Sequence, residues 1–224
     1  MKIAVLGTGT VGQLVAERLG ELGHDVVVGT RDVNESLSRV GDESAQGFGD
    51  WARSNGRIRV AKLSEAAAGA VLVVNATSGD ASLAALALAG EANLAGKVLI
   101  DVSNPLDFSL GFPPTLFVSD TDSLGEQIQT AFPEARVVKA LNTVNMALAV
   151  RPQALAGGDH TVFVCGEDET AKATVIALLQ EMGHRDVLDL GGISSSRGTE
   201  MYLALWTRLM ISLGTATFNI KVAR

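Results

Sequence analysis

Lys2-Ile-Ala-Val-Leu6-Gly7-Thr-Gly-Thr-Val-Gly12 decides the fold. Ile3 to Leu6 is an apolar run of strand length, and a G-x-G-x-x-G pattern follows it without a gap. Beyond it, Val11, Leu14, Val15, Leu19 and Leu22 recur on one face at helical spacing until Gly23 stops the helix. Strand, glycine turn and helix in this order cradle a pyrophosphate. Gly7 permits the tight turn, Gly9 lets the anion reach the backbone, and Gly12 lets the helix lean on the strand. The start of the helix adds free N–H groups and partial positive charge.

Working outward, apolar runs alternate with helical segments. Strands are expected at 25–29, 57–61, 70–76, 97–102 and 136–140, with helices at 81–89 and 122–131 between the later ones. Such alternation, with nearly continuous Val/Ile/Leu strands, predicts a Rossmann-type α/β fold: a doubly wound parallel sheet covered on both faces. After residue 150, segments 160–165, 169–182 and 186–190 read as one more strand–helix–strand unit. A last helix follows at 198–217. The boundary is placed at Arg151-Pro152, giving a nucleotide-binding domain over 1–150 and a small C-terminal α/β domain over 151–224 that ends in a long apolar helix.

The end of the second strand reports which dinucleotide fits. NAD-binding chains usually carry an acid there for the ribose 2′-hydroxyl. Here the strand runs Val26-Val-Val-Gly-Thr30-Arg31-Asp32, so the acid is displaced beyond Thr30 and Arg31. An arginine pairs with a 2′-phosphate, and Thr30 removes the carboxylate that would repel it. The expected cofactor is therefore NADP(H), and Asp32 reads as the N-cap of the next helix.

Three polar turns end the fourth, fifth and sixth strands: Asn75-Ala-Thr-Ser-Gly79, Asp101-Val-Ser-Asn-Pro-Leu-Asp107 and Lys139-Ala-Leu-Asn-Thr-Val-Asn145. Ligands sit at the carboxyl ends of strands in such sheets. Asn75, Ala76, Thr77, Ser103, Asn104, Ala140 and Asn142 are thus the candidates around ribose and nicotinamide, with Asn142, Thr143 and Val144 orienting whatever exchanges hydride. The lone tyrosine, Tyr202, lacks the lysine four residues on that a tyrosine acid would need, and His24, His160 and His184 stand at structural corners. Lys139 lies near the site, in solvent or in an ion pair. With no general acid in these loops, the turns suit hydride exchange with an acceptor carrying its own proton chemistry, such as a flavin or deazaflavin. Reduction of a ferric chelate or of a small carbonyl or imine, and a non-catalytic NADPH sensor, stay open at this point.

Composition narrows the partners. Eighteen Lys plus Arg against 25 Asp plus Glu leave a net charge of −7 in 224 residues, which offers no general field to nucleic acid or an anionic membrane. Seven Phe, two Trp and one Tyr are too few for a base-stacking platform. One cysteine, Cys165, excludes an internal disulfide and a cysteine-based structural zinc site, and no metal is expected. Met1-Lys2 runs straight into the first strand, without a signal peptide, and the apolar stretch 201–213 is too short for a span. A cytoplasmic protein with a small-molecule partner is expected. Met201, Leu205, Trp206, Leu209, Met210 and Leu213 give its last helix a broad apolar face that would pack on the small domain and help form a homodimer.

Gly7-Thr-Gly-Thr-Val-Gly12, Gly29-Thr-Arg31, Val138-Lys-Ala-Leu-Asn-Thr143 and Val164-Cys-Gly-Glu-Asp168 together resemble the coenzyme F420-dependent NADP oxidoreductases. The resemblance runs along essentially the whole chain. Related NADPH-binding ferric reductase domains share the sixth-strand motif. It implies a deazaflavin in a cleft against the nicotinamide, Thr8, Thr10 and Val11 around the pyrophosphate, and Thr30 and Arg31 on the 2′-phosphate. Ala76, Thr77, Asn142 and Val144 would border the nicotinamide. The sequence departs from deazaflavin users at Leu141-Asn142-Thr143, where they often carry Leu-His-Thr. Phe108 and Phe112, in the stiff segment from Pro105 to Pro114, are candidates to cover an aromatic ring.

Overall fold

The strand–turn–helix at the amino terminus forms as its pattern dictates and seeds a sheet that the rest of the chain extends. The computed structural model describes residues 1–41 and 46–224. Its first half comprises β1 (Lys2–Leu6), α1 (Thr10–Glu21), β2 (Asp25–Thr30), α2 (Val33–Ser38), α3 (Phe48–Ser54), β3 (Arg59–Lys62), α4 (Leu63–Gly69), β4 (Leu72–Asn75), α5 (Gly79–Ala89), α6 (Glu91–Leu94) and β5 (Val98–Asp101). A short antiparallel pair follows, β6 (Leu106–Asp107) and β7 (Thr115–Leu116). Then come α7 (Leu124–Ala131), β8 (Arg136–Ala140), α8 (Met146–Val150), β9 (Thr161–Cys165), α9 (Glu169–Met182), β10 (Asp186–Asp189) and α10 (Ser196–Leu213).

Among the described residues eight strands share one sheet in the order β10-β9-β8-β5-β4-β1-β2-β3. The six from β8 to β3 run parallel, so the ends of β1, β2, β4, β5 and β8 open on one edge. β9 and β10 are parallel to each other, but β9 joins β8 antiparallel, with Lys139 opposite Cys165. Strands from residues 151–224 therefore continue the main sheet in the reverse direction.

Period-two alternation sorts the apolar side chains into two layers. Ile3, Val5, Leu72, Val74, Ile100 and Val138 face α1, α8 and α9. Ala4, Leu6, Val73, Leu99 and Val137 face α4, α5 and α7. Both faces are covered, which is why these strands read as unbroken apolar runs.

The last helix departs from expectation. α10 buries Ser196, Thr199, Glu200, Leu203 and Thr207, whereas Leu205 and Leu213 are 55% and 56% exposed. Its orientation follows a charge: Glu200 reaches inward to Lys139. No helix among the described residues is long and apolar enough to cross a membrane.

Candidate active site

The phosphate loop closes as its glycines require. Gly7 sits at φ 121° and donates its amide to the Gly29 carbonyl at 3.0 Å. A Cβ on Gly7 would lie 2.5 Å from the Ala76 oxygen, and one on Gly12 would lie 2.2 Å from the Gly7 oxygen. Both positions exclude any larger residue. A Cβ on Gly9 would meet nothing, so the loop faces open space there. Gly9 is the N-cap of α1 and no side chain caps that helix, which leaves its first amides to an anion.

A cavity of about 390 Å³ runs from this loop to the end of β2, lined by Gly7, Thr8, Gly9, Thr30, Arg31, Ala76 and Thr77. The exposed Arg31 borders it, while Thr30 is buried and shares a 2.6 Å hydrogen bond with the Ser36 hydroxyl. Asp32 caps α2 by accepting from the Glu35 amide at 2.9 Å. Arg39, which no spacing rule singles out, also lines the cavity. Its guanidinium donates to the Thr8 hydroxyl at 2.5 Å and to Ser36 at 3.2 Å, and lies 5.8 Å from the Phe48 ring centre. These features fit NADP(H): uncapped amides for the pyrophosphate, and two guanidinium groups for a 2′-phosphate, with Thr30 and not a carboxylate ending β2; Asp32 and Glu35 also line the cavity, Asp32 engaged as the cap of α2.

Across the phosphate loop two further cavities meet at the ends of β5 and β8. The larger, about 880 Å³, is lined by Val11, Thr77, Val102, Ser103 and Asn104, with Phe108 and Phe117 at its rim. The second, about 460 Å³, is lined by Thr10, Val11, Asn104, Asn142, Thr143, Val144 and Trp206. Asn104 and Asn142 separate them and bind each other reciprocally. The Asn104 amide donates to the Asn142 carbonyl at 2.8 Å, and the Asn142 amide donates to the Asn104 side-chain oxygen at 3.0 Å. Leu141 turns the chain at φ 61°, a left-handed conformation costing a leucine roughly 1–2 kcal/mol, and so sets Asn142 at this junction. Phe112 does not line either cavity and stands 59% exposed.

Beneath the junction lies a buried polar chain. Asn75 donates to Asp101 at 2.9 Å and to Ser82 at 3.0 Å, and accepts from the Thr77 hydroxyl at 2.7 Å. Asp101 also accepts from the Ser103 hydroxyl at 2.6 Å. Lys139 sits between two carboxylates, 2.7 Å from Asp101 and 2.6 Å from Glu200, and its side chain has no exposure. Glu200 takes in addition the Leu124 and Gly125 amides that begin α7, at 2.8 and 3.0 Å. Burial pulls the Lys139 ammonium down, but Asp101 and Glu200 outweigh it and hold its pKa above the ordinary lysine value. Lys139 thus resolves to a buried ion pair. Asn75 and Ala140 lie in the floor, fully buried, and do not reach a cavity wall. The sequence marks Asp101 as the start of a strand-end turn but not its pairing with Lys139, 38 residues on, and Glu200 carries no motif at all, being 61 residues from its partner.

Proton chemistry is sparse here. No titratable side chain lines the Asn142 cavity among the described residues. In the larger one, the Ser109 amide and hydroxyl hold Asp107 below the usual carboxylate range, so it is a base and not a proton donor at neutral pH. Burial pushes the Cys165 thiol up to about 12, which removes it as a nucleophile. His184 is likewise buried, with its pKa lowered to about 4.

Comparison with known proteins agrees with this geometry. The family described as NADP oxidoreductase, coenzyme F420-dependent, matches residues 2–105. The chain is 57% identical to a protein of known crystal structure from Arthrobacter sp. FB24, provisionally described as an F420-dependent NADP reductase; the match covers 100% of both chains with a TM-score of 0.96. It is 27% identical to the F420-dependent NADP reductase of Methanocaldococcus jannaschii, over 99% of this chain and 98% of that one. It is also 30% identical to metalloreductase STEAP3 of Rattus norvegicus over 89% of this chain, which spans 36% of that longer protein.

Proposed function

The chain belongs to the coenzyme F420-dependent NADP oxidoreductase family, and from that premise we propose that it moves hydride between NADPH and coenzyme F420. The observation that carries the reading is the Asn142 cavity, which adjoins the dinucleotide groove and is lined by amides, two threonine hydroxyls and apolar groups without a titratable proton donor among the described residues. Such a wall suits an acceptor ring that manages its own proton, and not a carbonyl that needs one delivered.

When bound, NADPH supplies the hydride from its nicotinamide ring. The residues of this chain bind and orient. The amides from Gly7 to Gly12, with Thr8, Thr10 and Val11, hold the pyrophosphate, and Arg31 and Arg39 hold the 2′-phosphate beside the buried Thr30. Ala76, Thr77, Ser103 and Asn104 border the nicotinamide side, over the floor formed by Asn75 and Ala140. Asn142, Thr143 and Val144 align the acceptor, and Trp206 closes its cavity from α10. Catalysis then comes from positioning two rings and excluding water.

The direct test mixes the purified protein with NADPH and oxidised F420 and follows the deazaflavin absorbance, with a flavin and a ferric chelate as parallel acceptors. Bleaching of F420 is the expected result. No bleaching where NADPH demonstrably binds overturns the acceptor, and turnover on a parallel acceptor would replace it. We further propose a cytoplasmic homodimer in which the exposed apolar face of α10, including Leu205, Ile211 and Leu213, meets a second copy. A monomer by sedimentation velocity at micromolar concentration would refute the dimer.

A further inference from the structure

Lys139, Asp101 and Glu200 join β5, β8 and α10 with one more carboxylate than the ammonium neutralises. One ammonium is enclosed by two carboxylates, so the fully buried group carries a formal charge of 1 − 2 = −1. A neutral pair would have tied β5 to β8 equally well, and an excess buried charge is costly unless something offsets it. Part of the offset is visible: the α7 amides bind Glu200, and Asn75 and Ser103 bind Asp101. All of these donors are neutral.

Two hydrogen-bonded routes link the cluster to the larger cavity, one through a single residue and one through two. Asp101 holds Ser103, which lines that cavity, and Asp101 binds Asn75, which holds Thr77 on the same wall. Lys139 is three residues before Asn142 on the strand whose end forms the other wall. The two redox forms of the nicotinamide differ by one positive charge on the ring: the oxidised form is a cation and the reduced form is neutral. A fixed negative charge behind the wall acts on one form and not on the other.

We propose that the Lys139–Asp101–Glu200 cluster holds a net negative charge under the nicotinamide subsite, which favours the oxidised ring and so makes bound NADPH a stronger hydride donor. Glu200 is then a positioning and electrostatic residue, acting through Lys139 and without touching the cofactor. The inference rests on NADP(H) occupying the groove as read above. Its effect is a difference of affinities, because a protein shifts a bound redox couple only by binding its two forms unequally.

The experiment is Glu200→Gln, which keeps the shape and a carbonyl acceptor while cancelling the net charge. Dissociation constants for NADP⁺ and NADPH are measured separately on folded protein, without any acceptor. In the variant the constant for NADP⁺ should rise about ten- to twentyfold relative to that for NADPH, the effect of one unit charge over roughly 10 Å at an effective dielectric constant of about 20. Equal changes for both forms, or none, overturn the proposal and leave the cluster as a brace. Failure of the wild-type protein to bind either form would instead strike the reading of the groove. If Glu200→Gln does not fold, the wild type decides: its bound couple must have a midpoint potential below that of the free couple, and a higher one overturns the proposal.

Discussion

The two ends of the dinucleotide groove are built on opposite principles. At the adenosine end the binding groups are backbone amides and exposed guanidinium groups on two short stretches, Gly7 to Gly12 and Thr30 to Arg39, of which only Arg39 depends on folding back onto Thr8. At the reacting end the groups that face the cavities are held from below by a buried ionic cluster whose members come from β5, β8 and α10. The first is a local device, tolerant of its surroundings and dependent on a few glycines. The second is non-local, and its stability is inseparable from that of the fold. A phosphate can be met by an open cradle on an acidic protein of net charge −7, because the attraction is short-range. A ring that must be aligned for hydride transfer needs walls that do not move.

This contrast can be broken at its stiff end first. Lys139→Met leaves Asp101 and Glu200 buried without their cation and should lower unfolding stability by about 3–5 kcal/mol. A urea titration showing a loss under about 1 kcal/mol would mean that the cluster is not structural. Acid then asks whether stiffness is confined to that end. His184, on the far side of β9, has a folded pKa of about 4 against 6.5 when unfolded, because burial disfavours its charge. Between those values the unfolded chain takes up a proton that the folded chain refuses. The contribution is therefore complete above pH 6.5 and declines as pH falls toward 4, by about 3 kcal/mol in all. A His184→Gln variant with the same acid sensitivity would assign the loss elsewhere.

Smaller effects are expected where the groove is local. Arg31→Ala should weaken NADPH binding by about 1.5–3 kcal/mol and leave NADH almost unchanged, with protein stability unaffected. Equal losses for the two dinucleotides in a fluorescence titration would remove Arg31 from the 2′-phosphate. Arg39→Ala should cost NADPH binding only about 0.5–1.5 kcal/mol, since its guanidinium is already shared with Thr8 and Ser36. A loss larger than that of Arg31→Ala would reverse their ranking.

The same division governs what could be read in advance. The parallel strands and the phosphate loop follow from period-two runs and a glycine pattern, so their places were legible to within a residue or two; the strand expected at 97–102 forms as Val98–Asp101. The turns at Asn75, Ser103 and Asn142 were legible as strand ends. Their mutual bonds were not, because nothing in the sequence pairs Asn104 with Asn142 or Lys139 with Glu200. Hydrophobicity gives α10 a broad apolar face from Met201 to Leu213 without saying which part packs inward; the contact of Glu200 with Lys139 turns Leu203 and Thr207 in and leaves Leu205 and Leu213 exposed. Arg39 was missed because its role comes from α2 folding back over Thr8, a tertiary event with no local signature.

The reversal of direction at β9 has a bearing on how the chain can be divided. Cut after residue 150, the first part would end its sheet on β8, with Lys139 and Ala140 losing the strand they pair with. Edges of that kind recruit other chains. The cut would also strip Lys139 of Glu200, leaving a lone Asp101 pairing that no longer braces α7. The nucleotide-binding half is therefore not a portable module. The C-terminal stretch serves it as a selvedge, finishing a fabric that would otherwise fray into aggregates.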